Sequence, residues 1–155
     1  MDNSRKIERY RRIIVQLNSL LDKTNDPVCR MATINALLYH KMDGFFWTGF
    51  YLLKNGDLRV GPYQGPLACQ VLKVNTGVCW TAINKKNTIV VYNVKEFPDH
   101  IACDSRSKSE IAVPLIDQEG NIAGVLDVDS NNIGQFNETD ARFLEEIAGM
   151  VYANL

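Results

Sequence analysis

Hydrophobic residues recur at helical spacing near both ends of the chain. At the N-terminal end, the apolar positions that repeat every three or four residues are Ile7, Tyr10, Ile14, Leu17 and Leu21, and this period predicts an amphipathic helix. Asp26-Pro27 is typical of an N-cap followed by a proline in the first turn, and it predicts the start of a second helix. Near the C-terminal end, Asn137 can cap a last helix, whose predicted buried stripe is Phe143, Leu144, Ile147 and Val151.

The middle of the chain carries strand and turn signals. Residues 45–53 are rich in aromatic side chains, and Asn55-Gly56 predicts a hairpin turn into a second strand over 57–65. A short helix is predicted over 77–86. Three further strands are predicted over 88–94, 110–116 and 121–130, and Glu119-Gly120 joins the last two. Pro114 lies inside one of them, which predicts an edge strand or a bulge at that point.

This order of elements predicts an α+β fold with a central antiparallel sheet and flanking helices that pack together. The hairpins imply antiparallel pairing, and each sheet face must bury its apolar side against another element. The length of 155 residues fits one domain, which we place at 1–155. Residues 1–42 form its N-terminal helices, and residues 43–155 form its sheet, its functional loops and its closing helix.

Composition and charge exclude several classes of function. The formal net charge is -1, so the chain lacks the basic footprint of a nucleic-acid-binding protein. The apolar runs are much shorter than a membrane span requires, and the N-terminal segment has no signal-peptide core. We therefore expect a cytoplasmic protein, whose thiols stay reduced.

Three cysteines lie in small, polar, turn-rich segments, at Cys69, Cys79 and Cys103. They have four possible explanations: core packing, a metal site, a structural disulfide, or a nucleophile with resolving partners. A fourth cysteine, Cys29, lies in an apolar helix and is expected to be a buried packing residue.

Context and spacing separate these explanations. A reducing compartment disfavours a structural disulfide. His100 and the three cysteines would supply four zinc ligands, but structural zinc sites usually show paired cysteines, so we assign no metal. Cys79 is open to core packing, although its position near a helix start would lower its thiol pKa. For Cys69 and Cys103 the favoured explanation is a nucleophilic thiol with a second thiol within reach.

Acidic and aromatic side chains share faces of the predicted strands. Asp127 and Asp129 alternate along one strand and so lie on one face, which Glu110 of the neighbouring strand can join. Such a cluster suits a substrate ammonium, a metal ion or proton donation to an oxygen, and a solvated strand end is the alternative. Trp47 and Tyr51 also share a face, either as core residues or as an aromatic wall beside a methyl, thioether or cationic group.

Several motifs together resemble the free methionine-(R)-sulfoxide reductases, a family with the GAF fold. They extend from about Trp47 to the final helix and comprise Gly61-Pro62-Tyr63-Gln64-Gly65, Ala68-Cys69, Gly77-Val78-Cys79, Phe97-Pro98-Asp99-His100-Ile101-Ala102-Cys103-Asp104, Ser107-Lys108-Ser109-Glu110 and Gly124-Val125-Leu126-Asp127-Val128-Asp129. The family usually has glycine after the cysteine of the Gly-Val-Cys motif, where this chain has Trp80.

The resemblance implies an oxidoreductase that acts in oxidative stress and reduces free L-methionine-(R)-sulfoxide through a cysteine sulfenic acid and an intramolecular disulfide. Its thiol positions match Cys69, Cys79 and Cys103, with Cys103 expected to attack and Cys69 to resolve, and with Cys79 open as alternate resolving thiol or first attacker. Its substrate-binding positions match the carboxylates Glu110, Asp127 and Asp129 and the aromatic wall of Trp47 and Tyr51. It also implies a homodimer that needs no cofactor and that thioredoxin recycles.

The alternative hypothesis is a GAF-type module that binds a small ligand or senses redox state without turnover.

Overall fold

The computed structural model describes residues 1–100 and 103–155. Its α-helices are α1 (Asn3–Leu21), α2 (Pro27–Lys41), α3 (Gly77–Lys85) and α4 (Glu138–Gly149), with a short 3₁₀ helix at Val94–Glu96. Its strands are β1 (Trp47–Lys54), β2 (Asp57–Gln64), β3 (Val71–Leu72), β4 (Ile89–Val91), β5 (Ser109–Ile116) and β6 (Ile122–Ser130). Within the described ranges these strands form one antiparallel sheet in the order β3-β2-β1-β6-β5-β4.

Local side-chain caps explain where three of the helices begin. Asp2 accepts a hydrogen bond from the backbone N–H of Arg5 at 3.1 Å, and Asp26 accepts one from the N–H of Val28 at 2.8 Å. Asn137 and Asp140 form a capping box at the start of α4. These contacts satisfy N–H groups that have no partner inside the helix, and they confirm the predicted starts of α2 and α4.

Different helices pack against the two faces of the sheet. On one face, side chains of β1, β5 and β6 pack against α1, α2 and α4, and these strand residues are Phe50, Ile111, Val113, Leu115, Leu126 and Val128. On the other face, Trp47, Tyr51, Ala112 and Val125 pack with α3. The predicted α+β fold with an antiparallel sheet is confirmed. Since side chains alternate along a strand, Asp127 and Asp129 lie on the α3 side.

The strand predictions need three adjustments. Strand β3 was not predicted because two residues give no measurable alternation, and β4 is shorter than the predicted 88–94. Strand β5 lies between β6 and β4, but β4 pairs with it only as far as Ala112. Pro114 therefore has no strand neighbour on that side, and a register shift follows between Leu115 and Ile116. The expectation of an edge or bulge near Pro114 is confirmed for this half of the strand.

The prediction that Cys29 is buried is wrong, because Cys29 is exposed on α2. Its neighbour Arg30 takes the inward position instead and is only 2% exposed. The Arg30 guanidinium donates to carbonyl groups near the C-terminal ends of α1 and α4, namely those of Leu21, Thr24, Met150, Val151 and Ala153. Those bonds satisfy carbonyls that helix ends leave free.

None of the helices in the described ranges is long and apolar enough to cross a bilayer.

Candidate active site

A pocket lies between α3 and the neighbouring ends of three strands, namely the first residues of β1 and β5 and the last residues of β6. Its volume is about 580 Å³ when the open solvent at its mouth is counted. Seven of the eight residues predicted as site residues line it: Trp47, Tyr51, Cys79, Cys103, Glu110, Asp127 and Asp129. The eighth, Cys69, is bonded to Cys103.

The strand register places the acidic residues side by side. Asp129 of β6 pairs with Trp47 of β1 on one side and with Glu110 of β5 on the other, so the three form one row across the sheet. Asp127 lies in the next row on the same face. Glu110 and Asp127 are only 6% and 4% exposed. Asp129 is partly exposed as a residue, although its carboxyl group is enclosed by protein.

Burial and mutual repulsion keep protons on this carboxyl cluster. Burial, followed by the charge of Asp129, raises the pKa of Glu110 from 4.5 to about 8. Burial, followed by the charge of a neighbouring carboxylate, raises the pKa of Asp127 and of Asp129 well above its ordinary value. Such groups can donate a proton at neutral pH or ionise when a cation binds among them.

Two polar residues of the loop before β5 contact the cluster. His100 Nε2 lies 3.2 Å from Glu110 Oε2, and the Ser107 hydroxyl donates to Asp129 Oδ1 at 2.7 Å. Burial lowers the pKa of His100. From the sequence, His100 was considered only as a zinc ligand and Ser107 had no predicted role, although both lie in motifs that carry the family resemblance. Their place beside Cys103 in a long polar loop was the available signal.

Cys69 and Cys103 form a disulfide at the mouth of the pocket, with their Cα atoms 5.5 Å apart. Cys103 is exposed and Cys69 is partly buried. This is the pairing that the family resemblance implied. An exposed disulfide between two loops is accessible to an external thiol, as a redox-active disulfide must be.

Cys79 is a buried free thiol inside the carboxyl cluster. Its Sγ donates to Glu110 Oε1 at 3.9 Å. Burial, together with the charges of Asp127 and Glu110, raises its pKa well above the ordinary value. The expectation that the start of α3 would lower this pKa is therefore wrong, because burial and the facing carboxyls outweigh the helix dipole.

Trp80 does not narrow the pocket. Its indole N–H donates to the backbone carbonyl of Leu72 at 3.3 Å, and its ring belongs to the core between α3 and the sheet. The replacement of the family's usual glycine by Trp80 thus leaves the Cys79 thiol beside Glu110.

The four-ligand zinc set considered from the sequence is not assembled, because two of its cysteines are bonded to each other. The described residues instead bring one ligand atom each of Cys79, Glu110 and Asp127 within 4.8 Å of one another. The carboxylate oxygens of Glu110 and Asp127 can coordinate a metal ion, and they can equally accept hydrogen bonds from an ammonium group.

Aromatic rings form one wall of the pocket. The Trp47 indole stacks on Tyr51 and on Tyr63, with ring centroids 5.7 Å and 5.3 Å apart. The Tyr51 hydroxyl donates to the carbonyl of Cys69 at 3.2 Å. The wall therefore contacts the loop that carries one of the bonded cysteines.

The N-terminal end of α3 completes the site. Gly77 adopts a φ of 85°, a backbone conformation that glycine tolerates, where the chain turns into the helix. Thr76, Gly77 and Val78 line the pocket, and Thr76 makes no side-chain cap. The first backbone N–H groups of a helix attract anions, so this end of the pocket suits a carboxylate.

Comparisons with known proteins agree with this geometry. The GAF domain model matches residues 36–151. The chain is 35% identical to the free methionine-R-sulfoxide reductase of Saccharomyces cerevisiae, over 96% of this chain and 87% of the yeast protein. It is 36% identical to the free methionine-R-sulfoxide reductase of Escherichia coli, over 94% and 88% of the two chains.

A solved structure is also similar, that of free methionine-R-sulfoxide reductase from Neisseria meningitidis in complex with its substrate. The TM-score is 0.89 and the identity is 43%, over 94% of this chain and 87% of that one.

Proposed function

The chain belongs to the free methionine-R-sulfoxide reductase family of GAF-domain proteins, and from this we propose that it reduces free L-methionine-(R)-sulfoxide to methionine. The observation that carries the proposal is the disulfide between Cys69 and Cys103 at the mouth of a pocket that holds a protonated carboxyl cluster. The disulfide is the oxidised product that a thiol reductant forms, and the carboxyl cluster is a source of the proton that sulfoxide reduction needs.

Cys103 is the attacking thiol in this proposal. It is the more exposed of the two bonded cysteines and it lines the pocket directly. Its thiolate attacks the sulfoxide sulfur while an acid protonates the sulfoxide oxygen. This attack forms a bond between Cys103 Sγ and the substrate sulfur. The hydroxyl group then moves from the substrate sulfur to Cys103 Sγ as that S–S bond breaks, so methionine leaves with the electron pair and Cys103 becomes a sulfenic acid. The Cys69 thiol then attacks Cys103, water leaves, and the disulfide forms.

The proton comes from Glu110 or Asp129. Both lie in the same row across the sheet as Trp47, and the pKa of each carboxyl group is raised. A carboxyl group that stays protonated near neutral pH is an effective general acid. Cys79 donates to Glu110 and so helps to hold it in place.

The substrate's amino-acid end explains the selection of a free amino acid. Asp127 accepts the ammonium group, and the N–H groups at the start of α3 hold the carboxylate. Trp47 and Tyr51 contact the methyl-thioether end. A peptide-bound methionine sulfoxide lacks both terminal charges, so it leaves the buried carboxyl of Asp127 without its partner, and such unpaired groups give strong discrimination.

The remaining expectations belong to the same proposal. The enzyme acts in the cytoplasm as a homodimer, functions in oxidative stress, and needs no bound cofactor. Thioredoxin reduces the Cys69–Cys103 disulfide by thiol–disulfide exchange.

The test is a thioredoxin-coupled assay on the separated R and S isomers of free methionine sulfoxide and on a peptide that contains the R isomer. We expect turnover of the free R isomer alone. Equal turnover of the free and peptide-bound forms refutes the recognition of the amino-acid end. Methionine sulfoxide that binds without consuming thiols favours the ligand-binding module instead. Metal analysis of reduced protein checks the group formed by Cys79, Glu110 and Asp127.

A further inference from the structure

Within the described part of the chain, two buried polar atoms of pocket-lining residues have no hydrogen-bond partner: the indole Nε1 of Trp47 and the Oδ1 of Asp127. Trp47 is only 6% exposed and Asp127 only 4%. Leaving a buried donor or acceptor unpaired costs about 1–3 kcal/mol, and folded proteins contain few such groups. One donor and one acceptor that belong to lining residues of the same pocket are therefore without a partner among the described residues.

The strand register separates the two atoms into different rows. Trp47 lies in the row of Asp129 and Glu110, the two candidate proton donors, whereas Asp127 lies in the next row. A ligand whose ammonium pairs with Asp127 thus places its other end near Trp47. At that end, methionine sulfoxide carries an oxygen on sulfur, which is a strong acceptor.

Stacking limits what the indole offers to a ligand. Tyr51 and Tyr63 both stack on Trp47, so much of its π surface is already covered. The ring edge remains, and the unpaired N–H belongs to that edge. This assigns Trp47 a polar role in addition to its contact with the methyl group.

Resting on the proposed function, we propose that the Trp47 N–H donates a hydrogen bond to the sulfoxide oxygen and makes the pocket discriminate between substrate and product. The bond orients the oxygen toward the row of acids. Methionine has no oxygen on sulfur, so product formation leaves the N–H unpaired again. The product is therefore bound less tightly than the substrate.

The test replaces Trp47 by benzothienylalanine, in which sulfur takes the place of the indole N–H with little change of shape. Trp80 with the same replacement is the matched control, because its N–H already donates to Leu72 and its ring does not line the pocket. Calorimetry in a Cys103→Ser background measures the binding of the R sulfoxide and of methionine without turnover.

We expect the Trp47 replacement to weaken sulfoxide binding about tenfold, as the loss of one hydrogen bond implies, and methionine binding less than about twofold. The Trp80 replacement should lower the stability of the protein and leave the ratio of the two affinities unchanged. The Trp47 replacement should not lower the stability of the free protein, because its N–H has no partner to lose.

Three results overturn the proposal. Equal weakening of both ligands would place the N–H at the amino-acid end, and unchanged affinities would show that it binds neither. A changed ratio in the Trp80 variant would mean that the effect does not come from the pocket. Each of these leaves the proposed function intact if the wild-type enzyme still reduces the free R isomer, whereas a wild-type enzyme without that activity refutes the proposed function itself.

Discussion

We expect the difference in unfolding free energy between Glu110→Gln and the wild type to change with pH. This difference should favour the variant more at neutral pH than in mild acid. The folded protein raises the pKa of Glu110 from 4.5 to about 8. Between these two values an unfolded chain has lost the proton that the folded chain retains, so wild-type stability falls as pH rises. Glutamine does not titrate, so the variant escapes this loss.

The magnitude follows from the width of the pH interval. Each pH unit between the two pKa values is worth about 1.4 kcal/mol. From about pH 5 to pH 7, the stability of the variant relative to the wild type should therefore rise by about 2–3 kcal/mol. Urea unfolding at a series of pH values, with the disulfide kept intact, measures the difference.

Glu146→Gln, at an exposed position of α4, controls for the loss of one negative charge. If the difference in unfolding free energy between Glu110→Gln and the wild type stays constant over this pH interval, Glu110 does not retain its proton and is not the acid.

Three further predictions concern activity. If Glu110 is the acid, the ratio kcat/KM for free methionine-(R)-sulfoxide should fall above about pH 8, where Glu110 loses its proton; a flat alkaline profile would argue against Glu110 as the acid. Cys103→Ser should abolish reduction, whereas Cys29→Ser at the exposed position should leave it unchanged; activity retained in Cys103→Ser would transfer the attack to Cys79. Asp127→Asn should raise KM for the free amino acid by about tenfold to a hundredfold through loss of the ammonium's charged partner, and steady-state kinetics with an unchanged KM would exclude that contact.

The sequence predicted the helices, the long strands and the shared sheet face of Asp127 and Asp129 because each left a local pattern. Alternation along 121–130 was sufficient to place Asp127 and Asp129 on one face, and the cap at Asp26 was sufficient to start α2. Cys29 escaped prediction because its exposure depends on Arg30, and three of the five carbonyl partners of Arg30 lie 120 to 123 residues away in the chain. Helix periodicity does not encode such contacts.

The same limit applies to the ionisation of the site. The helix position of Cys79 predicted a lowered pKa, whereas tertiary packing against Asp127 and Glu110 raises it. The contact between His100 and Glu110 likewise joins a loop to a strand, and neither segment alone indicates it.

The disulfide at the pocket mouth forms and breaks during the catalytic cycle, so the melting temperature of the enzyme depends on its redox state. Cys69 and Cys103 are 34 residues apart in the chain, and a cross-link that closes a loop of this size stabilises a protein by roughly 3–4 kcal/mol. Each turnover therefore converts a less stable reduced enzyme into a more stable oxidised one, and reduction of the disulfide reverses the change. A thermal unfolding curve therefore measures, without a label, the fraction of enzyme that is in the oxidised state.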